Sequence, residues 1–430
     1  MSASTRSIRS TVCRHVHLGS LAIATATTLL AACADDATAP TARALRPAEQ
    51  RSESATVVEP ASGPWARIVE GETGPGAEYA LHVPRAWNGA AVYYAHGFRD
   101  ATASVGMADQ DQFYAIRDAL GAQGYAVAAS GYSRNGFAVK DGAQRTHQLR
   151  GLLAAALPAP ATHSFLMGHS LGAAIALDLA ERYPTQYDGA LLMCGMVGGT
   201  LLQTQYLGHV RTLANVHFPT IPGGPLAAPA PGQEITIPMV AGAAQANIAG
   251  LFAMASTRQT PLPYAPGPNM VPTLIGSLYA ALSFHARGIA DVLELTHGQT
   301  PFGNVGETYA RGTLVGPFPA PLIDGLIAQS DAQAARITMA PSAENYLSHE
   351  FTPTGELRMP VVSVHNRFDP AVPYFHVDAL RARMTAAGTA GLLLERAPLG
   401  AGHCGISAAQ AISGFDALAS WVTTGTRPPA

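Results

Sequence analysis

The chain has 430 residues, with 26 Lys and Arg against 29 Asp and Glu and a formal net charge of −3. Without a long run of Lys or Arg, this near-balanced charge gives no electrostatic reason to expect nucleic acid as a partner. The four cysteines form no CxxC pattern or His/Cys cluster, so no metal site is expected.

The N-terminus places Arg6, Arg9 and Arg14 ahead of an uncharged stretch, 16–32, that ends in small residues. This order is that of an export signal, and the apolar stretch is shorter than the roughly 20 residues of a spanning helix. Its end, Leu30-Ala31-Ala32-Cys33, resembles the lipobox of bacterial lipoproteins. The resemblance implies cleavage after residues 1–32, lipidation of Cys33, and an exported protein held at the membrane of the bacterial cell envelope. A plain secretory signal cleaved nearby is the alternative. Residues 33–62 are rich in Ala, Thr, Pro, Arg and Glu without an apolar period, which predicts a flexible tether before a folded body that starts at Gly63.

Within the body, short apolar runs predict eight strands, at 66–69, 78–83, 90–95, 126–130, 164–167, 190–194, 360–365 and 391–396. Helical spacing predicts helices at 110–121, 144–157, 171–182, 374–387 and 407–423. Such alternation is expected of a mostly parallel sheet covered by helices. It breaks at 198–350, where proline and glycine clusters separate apolar helical stretches. That segment is too long for a connecting loop. It is predicted to be a mostly helical cap inserted between two core segments, 63–197 and 351–430; an independent second domain is the alternative.

The stretch "FLMGHSLGAA" sets Ser170 between a predicted strand and a predicted helix, in the pattern G-x-S-x-G. Small residues on both sides permit a strained turn that pushes the serine oxygen out of the backbone. A serine hydroxyl is a poor nucleophile until a histidine takes its proton and an acid orients that histidine. Downstream, "VVSVHNRFDPAV" carries Asp369 past a strand and "LGAGHCGIS" carries His403 in a glycine-rich loop. The alternatives are His376 and His365 for the base and Asp378 or Glu395 for the acid. Each favoured residue also has a structural alternative: a helix cap for Ser170, a turn before Pro370 for Asp369, a loop hydrogen bond for His403.

The order Ser170, Asp369, His403 resembles that of the α/β-hydrolases, and "VYYAHGFRD" resembles the His-Gly loop after their third strand. The resemblance covers the body from Gly63 to Pro428. It implies an α/β-hydrolase fold in which the backbone N–H groups of Phe98 and Leu171 receive an oxyanion, with no metal or organic cofactor. His96 is expected to shape its loop and His169 to pack beside Ser170. Tyr132, Ser133 and Asn135 are expected either to line the pocket or to form an ordinary turn. In the cap, Phe252, Met254, Met270, Leu278, Tyr279, Leu282 and Phe284 either fill its core or line a pocket.

Cys194 and Cys404 both fall near the ends of predicted strands. An exported chain keeps disulfides, so a bridge between them is expected, with two small buried thiols as the alternative. The expected activity is hydrolysis of a carboxylic ester, small or oligomeric. A peptidase or amidase, an acyltransferase, and a tethered binding module without catalysis are the alternatives.

Overall fold

The computed structural model describes residues 55–74, 76–107, 111–314 and 316–429. The predicted leader, Cys33 and most of the tether lie outside these residues.

The first elements are β1 (Thr56–Val58), β2 (Trp65–Glu72), β3 (Glu78–Pro84) and β4 (Ala90–Ala95), followed by α1 (Asp111–Ala122), β5 (Ala126–Ser130) and α2 (Val139–Ala156). Next come β6 (His163–His169), α3 (Leu171–Arg182) and β7 (Gly189–Met193). The nine-stranded sheet has the order β1-β2-β3-β5-β4-β6-β7, then two strands from the C-terminal segment, β8 (Val361–Val364) and β9 (Leu393–Arg396). Strands β1, β2, β3 and β5 pair antiparallel, and everything from β5 across to β9 pairs parallel.

Alternate side chains of a strand point to opposite faces, and here both faces are apolar. Ala91 and Tyr93 belong to the cluster containing Val139 and Leu149 of α2 and Ile175 of α3. Val92 and Tyr94 belong to another, with Phe113 and Ile116 of α1. That second cluster also holds Phe415 and Leu418 from the last helix, which follows β9. Each fully buried side chain of this size contributes roughly 1.5–3 kcal/mol through removal from water.

Between β7 and β8 lie α4 (Thr200–His217), α5 (Ile237–Ala246), α6 (Ile248–Ala255), α7 (Met270–Leu295), α8 (Ala320–Gln333) and α9 (Pro341–Glu350). These cap helices have an apolar core of their own. Phe252, Met254, Leu278 and Leu282 are buried in it, and Met270 and Tyr279 pack against it. One face of α7 rests on the loop between β5 and α2. There Asp291 pairs with Arg134 at 2.6 Å and accepts the Phe137 backbone N–H at 2.7 Å. Only glycine fits at position 136, because its φ is 81° and a Cβ would lie 2.2 Å from the Asp291 carboxylate. The remaining helices, α10 (Phe375–Ala386) and α11 (Ala408–Thr424), flank β9.

The sheet has one strand more than the eight predicted, and that strand lies inside the predicted tether. Thr56, Val57 and Val58 are β-branched and pair antiparallel with Glu70, Val69 and Ile68. All three are exposed. An edge strand held by backbone pairing alone buries no alternating face, so the apolar period that marks a strand is missing from its sequence.

Candidate active site

Ser170 stands between β6 and α3 with φ 54° and ψ −116°. A non-glycine residue in such a conformation costs of order 1–3 kcal/mol and persists only where its surroundings impose it. Here the Ser170 N–H donates to Met193 of β7 at 2.9 Å, and its carbonyl accepts from Ala173 at 3.1 Å and Met196 at 3.2 Å. The flanking glycines are required by close approach. A Cβ on Gly168 would lie 2.1 Å from the Gly172 carbonyl oxygen, and one on Gly172 would lie 2.1 Å from that of Ala95. Ser170 occupies the cap position of α3, yet its side chain makes no capping bond.

Its hydroxyl is instead 2.8 Å from Nε2 of His403. Nδ1 of the same ring is 3.0 and 2.9 Å from the two carboxylate oxygens of Asp369. A carboxylate only accepts, so the imidazole proton sits on Nδ1 and the lone pair of Nε2 faces the serine hydroxyl. Asp369 is fully buried. Its Oδ1 accepts from the amides of Ala371 and Val372, both at 3.0 Å, and its Oδ2 from that of Cys404 at 3.1 Å. It therefore also forms the turn around Pro370. Burial pushes the Asp369 carboxyl up, but the neighbouring His403, His365 and the Val372 amide together hold it below the usual range.

The alternative residues do not reach Ser170. His376 donates from Nε2 to Gln203 at 2.8 Å and accepts the Gly198 amide on Nδ1 at 3.0 Å; burial pushes its imidazole down to about 3. His365 donates to the Val372 carbonyl at 2.7 Å, and burial lowers it as well. Asp378 and Glu395 both pair with Arg381, at 2.8 and 2.5 Å.

Around the site, His96 stacks on Tyr132 with ring centroids 3.8 Å apart, and the Tyr132 hydroxyl donates to the His96 carbonyl at 3.0 Å. Burial pushes His96 and His169 down to about 4, so both are neutral; His169 meets the Tyr94 hydroxyl at 3.1 Å. Ser133 bonds Asp141, and Asn135 bonds the carbonyls of Ala103 and Ser104, so both serve the turn. A Cβ on Gly97 would lie 3.3 Å from that of Ser170, which puts the His96 to Phe98 loop beside the serine. Leu171 opens α3, and the first N–H groups of a helix have no intrahelical partner.

Cys194 and Cys404 form a disulfide. It joins the end of β7 to the residue that follows His403. Sequence reading missed Asn366, whose Nδ2 donates to the carbonyls of Gly400 at 3.2 Å and Gly402 at 2.8 Å and so ties down the loop that carries His403. The signal in the sequence was its position directly after the predicted strand 360–365. From the cap, Phe284 reaches the site, its ring meeting that of His403 edge-on at 5.2 Å.

The parallel sheet, the strained serine between β6 and α3, and the acid and histidine on loops after β8 and β9 define the α/β-hydrolase fold. The family described as Serine aminopeptidase, S33 matches residues 90–234, a span that includes Ser170 and stops short of Asp369 and His403. Fold and family match together support a hydrolase. No curated protein matches the chain. Among solved structures, feruloyl esterase B from Aspergillus oryzae is 13% identical over 87% of each chain, with a TM-score of 0.46. Another esterase from Aspergillus oryzae is 12% identical over 84% of this chain and 80% of its own, with a TM-score of 0.44. A rice cell wall degrading esterase from Xanthomonas oryzae is 13% identical over 86% and 90%, with a TM-score of 0.38.

Proposed function

We propose that the protein is a serine hydrolase that cleaves carboxylic esters through an acyl-enzyme on Ser170. The observation that carries this reading is one imidazole bonded on both sides, to the Ser170 hydroxyl at 2.8 Å and to buried Asp369 at 2.9 Å. His403 Nε2 takes the hydroxyl proton as Ser170 Oγ bonds to the carbonyl carbon, and Asp369 holds the tautomer and offsets the charge formed on the ring. The amides of Phe98 and Leu171 are the donors for the oxyanion, each such donor being worth about 3–4 kcal/mol of barrier in comparable sites. As the intermediate collapses, the bond to the alcohol oxygen breaks and His403 returns its proton to that oxygen. Water then attacks the acyl carbon, giving a proton to His403. The bond to Ser170 breaks, Oγ recovers the proton, and the acid leaves.

Hydrolysis of p-nitrophenyl esters from C2 to C12 by the wild type and by Ser170→Ala tests the reading. Turnover that vanishes in the variant supports it. No turnover at any length, with Ser170 still labelled by a fluorophosphonate, overturns the ester and favours an amide. The family description gives that second reading its support, and aminoacyl p-nitroanilides are its substrates of choice. Absence of both turnover and labelling would favour a non-catalytic binding protein.

We also propose that the chain is exported and lipidated on Cys33, which would anchor it to a membrane of the bacterial cell envelope. The arginines and lipobox-like end of the leader support this, as does the Cys194–Cys404 disulfide, since disulfides persist in oxidising compartments. Lipid incorporation that survives Cys33→Ser would overturn it.

A further inference from the structure

Part of the support for Asp369 comes from the cap. Gln203 lies in the first turn of α4 and is buried, and its Nε2 donates to the Ala371 carbonyl at 2.7 Å. The Ala371 amide in turn donates to Asp369 Oδ1 at 3.0 Å. One turn further along α4, the Tyr206 hydroxyl donates to the Pro370 carbonyl at 3.4 Å, and His365, just past β8, donates to that of Val372 at 2.7 Å. The three consecutive carbonyls that follow the acid are thus each held by a buried side chain, and two of those side chains belong to the cap's first helix.

Gln203 is itself held. Its Oε1 accepts from Nε2 of His376 on α10 at 2.8 Å, and Nδ1 of that ring accepts the Gly198 amide at 3.0 Å. The direction of this chain of bonds is fixed at Ala371. A carbonyl only accepts, so Gln203 presents its NH2 group to Ala371 and its oxygen to His376, which then carries its proton on Nε2 and leaves the Nδ1 lone pair for Gly198. His376 is fully buried and neutral, as this tautomer requires. The approach at Gly198 is close, since a Cβ there would lie 2.8 Å from His376 Nδ1 and 2.5 Å from the Leu202 side chain. Both ring nitrogens and both polar atoms of the amide are engaged, the condition under which a buried polar network rigidifies what it touches.

We propose that Gln203 is a positioning residue for the triad, a group carried by the cap that sets the Asp369 carboxylate against His403 and is itself oriented by His376. The inference rests on the Ser170 nucleophile reading above and extends it, because it makes the first helix of the cap part of the acid's support. The bonded chain starts at Gly198, between β7 and α4, and ends on the acid, so the segment that leaves the core for the cap is tied to the catalytic carboxylate. A misplacement of about 1 Å can cost roughly 100-fold in rate.

The test is the rate at which a fluorophosphonate labels Ser170 in the full-length protein, compared between wild type and Gln203→Met, with Asp369 intact and again in an Asp369→Asn background. Methionine is close to glutamine in length and makes neither bond. The amplitude of labelling counts folded protein and the rate constant reports the triad, so a merely structural residue moves the first and not the second. With Asp369 intact, Gln203→Met should slow labelling at least tenfold. In the Asp369→Asn background, where the acid no longer orients the imidazole, the same substitution should change the rate less than twofold. A rate within twofold of wild type with Asp369 intact, or an equal fall in both backgrounds, overturns the positioning role while leaving Ser170 the nucleophile. Should Gln203→Met give no folded protein, Gln203→Asn, too short to bridge His376 and Ala371, is read against the same limits. Absence of labelling in the wild type overturns the nucleophile reading and this role with it.

Discussion

Cys404, the residue immediately after His403, is bonded to Cys194 at the end of β7, a partner 210 residues away in sequence. The bridge fixes one side of the loop that presents the imidazole, and both cysteines adopt positive φ, 44° and 52°. In the chain-entropy account a closed loop of this length stabilises by about 5 kcal/mol. The Cys194→Ser, Cys404→Ser double variant is therefore expected to melt at a clearly lower temperature. Complete reduction of the wild type is expected to lower kcat at least tenfold and to leave the variant's kcat unmoved. Full activity of a wild type whose thiols are shown to be alkylated would remove the bridge from any part in placing His403.

Asp369→Asn keeps the size of the side chain and replaces an acceptor with an amide whose NH2 group faces His403 or the three backbone donors. The imidazole loses the partner that fixes its tautomer. A fall in kcat of about 10⁴ is expected, in line with the cost of a wrong tautomer in such sites. Unchanged circular dichroism would assign the loss to chemistry, and a fall of less than tenfold would assign Asp369 to the turn around Pro370 alone.

Two glycine-to-alanine changes should act in opposite directions. At Gly172 the new methyl would lie 2.1 Å from the Ala95 carbonyl, so β4 or the serine turn must move, and Ser170-dependent activity should be lost. At Gly151, in the exposed part of α2, nothing lies within 4 Å of the new methyl. There alanine should stabilise by about 0.5–1 kcal/mol, because glycine is the poorer helix former. Urea denaturation measures both. Wild-type activity in Gly172→Ala would refute the close approach.

Asp178 on α3 is buried, and burial pushes its carboxyl up to about 6, although Arg182 at 2.9 Å pulls it back in part. Its Oδ2 has no hydrogen-bond partner. Between its ordinary value of 3.8 and about 6 the folded chain binds more protons at this site than the unfolded chain. Its contribution to stability therefore falls as pH rises through that window. Asp178→Asn removes this dependence and should be more stable than wild type at pH 7, by up to about 3 kcal/mol. Equal stability differences at pH 4 and pH 7 would show that the carboxyl is not shifted.

Much of the parallel core was legible because its signals are local. Strand β4 begins and ends where the apolar run 90–95 does, and β5 matches 126–130, since a strand buried on both faces reads as continuous apolar sequence. Helix α2 starts five residues before the expected 144, at Val139, where Gly136 and Gly142 give its start the look of a loop. The last strand begins at Leu393 rather than 391, after a single 3₁₀ turn. Asn366 was passed over because its partners, the carbonyls of Gly400 and Gly402, come from a loop more than thirty residues away.

The sequence by itself determined the order of chemistry along the chain: a serine between two glycines at a strand-to-helix junction, then an acid, then a histidine. Spacing and composition carry that information because strands, helices and turns form from residues close together. Only the tertiary structure decided which histidine meets Ser170, that Cys404 reaches Cys194, and that Phe284, packed against the cap's core, also meets His403 while Phe252 and Leu282 lie buried inside that core. Those outcomes depend on which faces of distant elements pack together, and an apolar residue at helical spacing looks the same in sequence whichever face it meets.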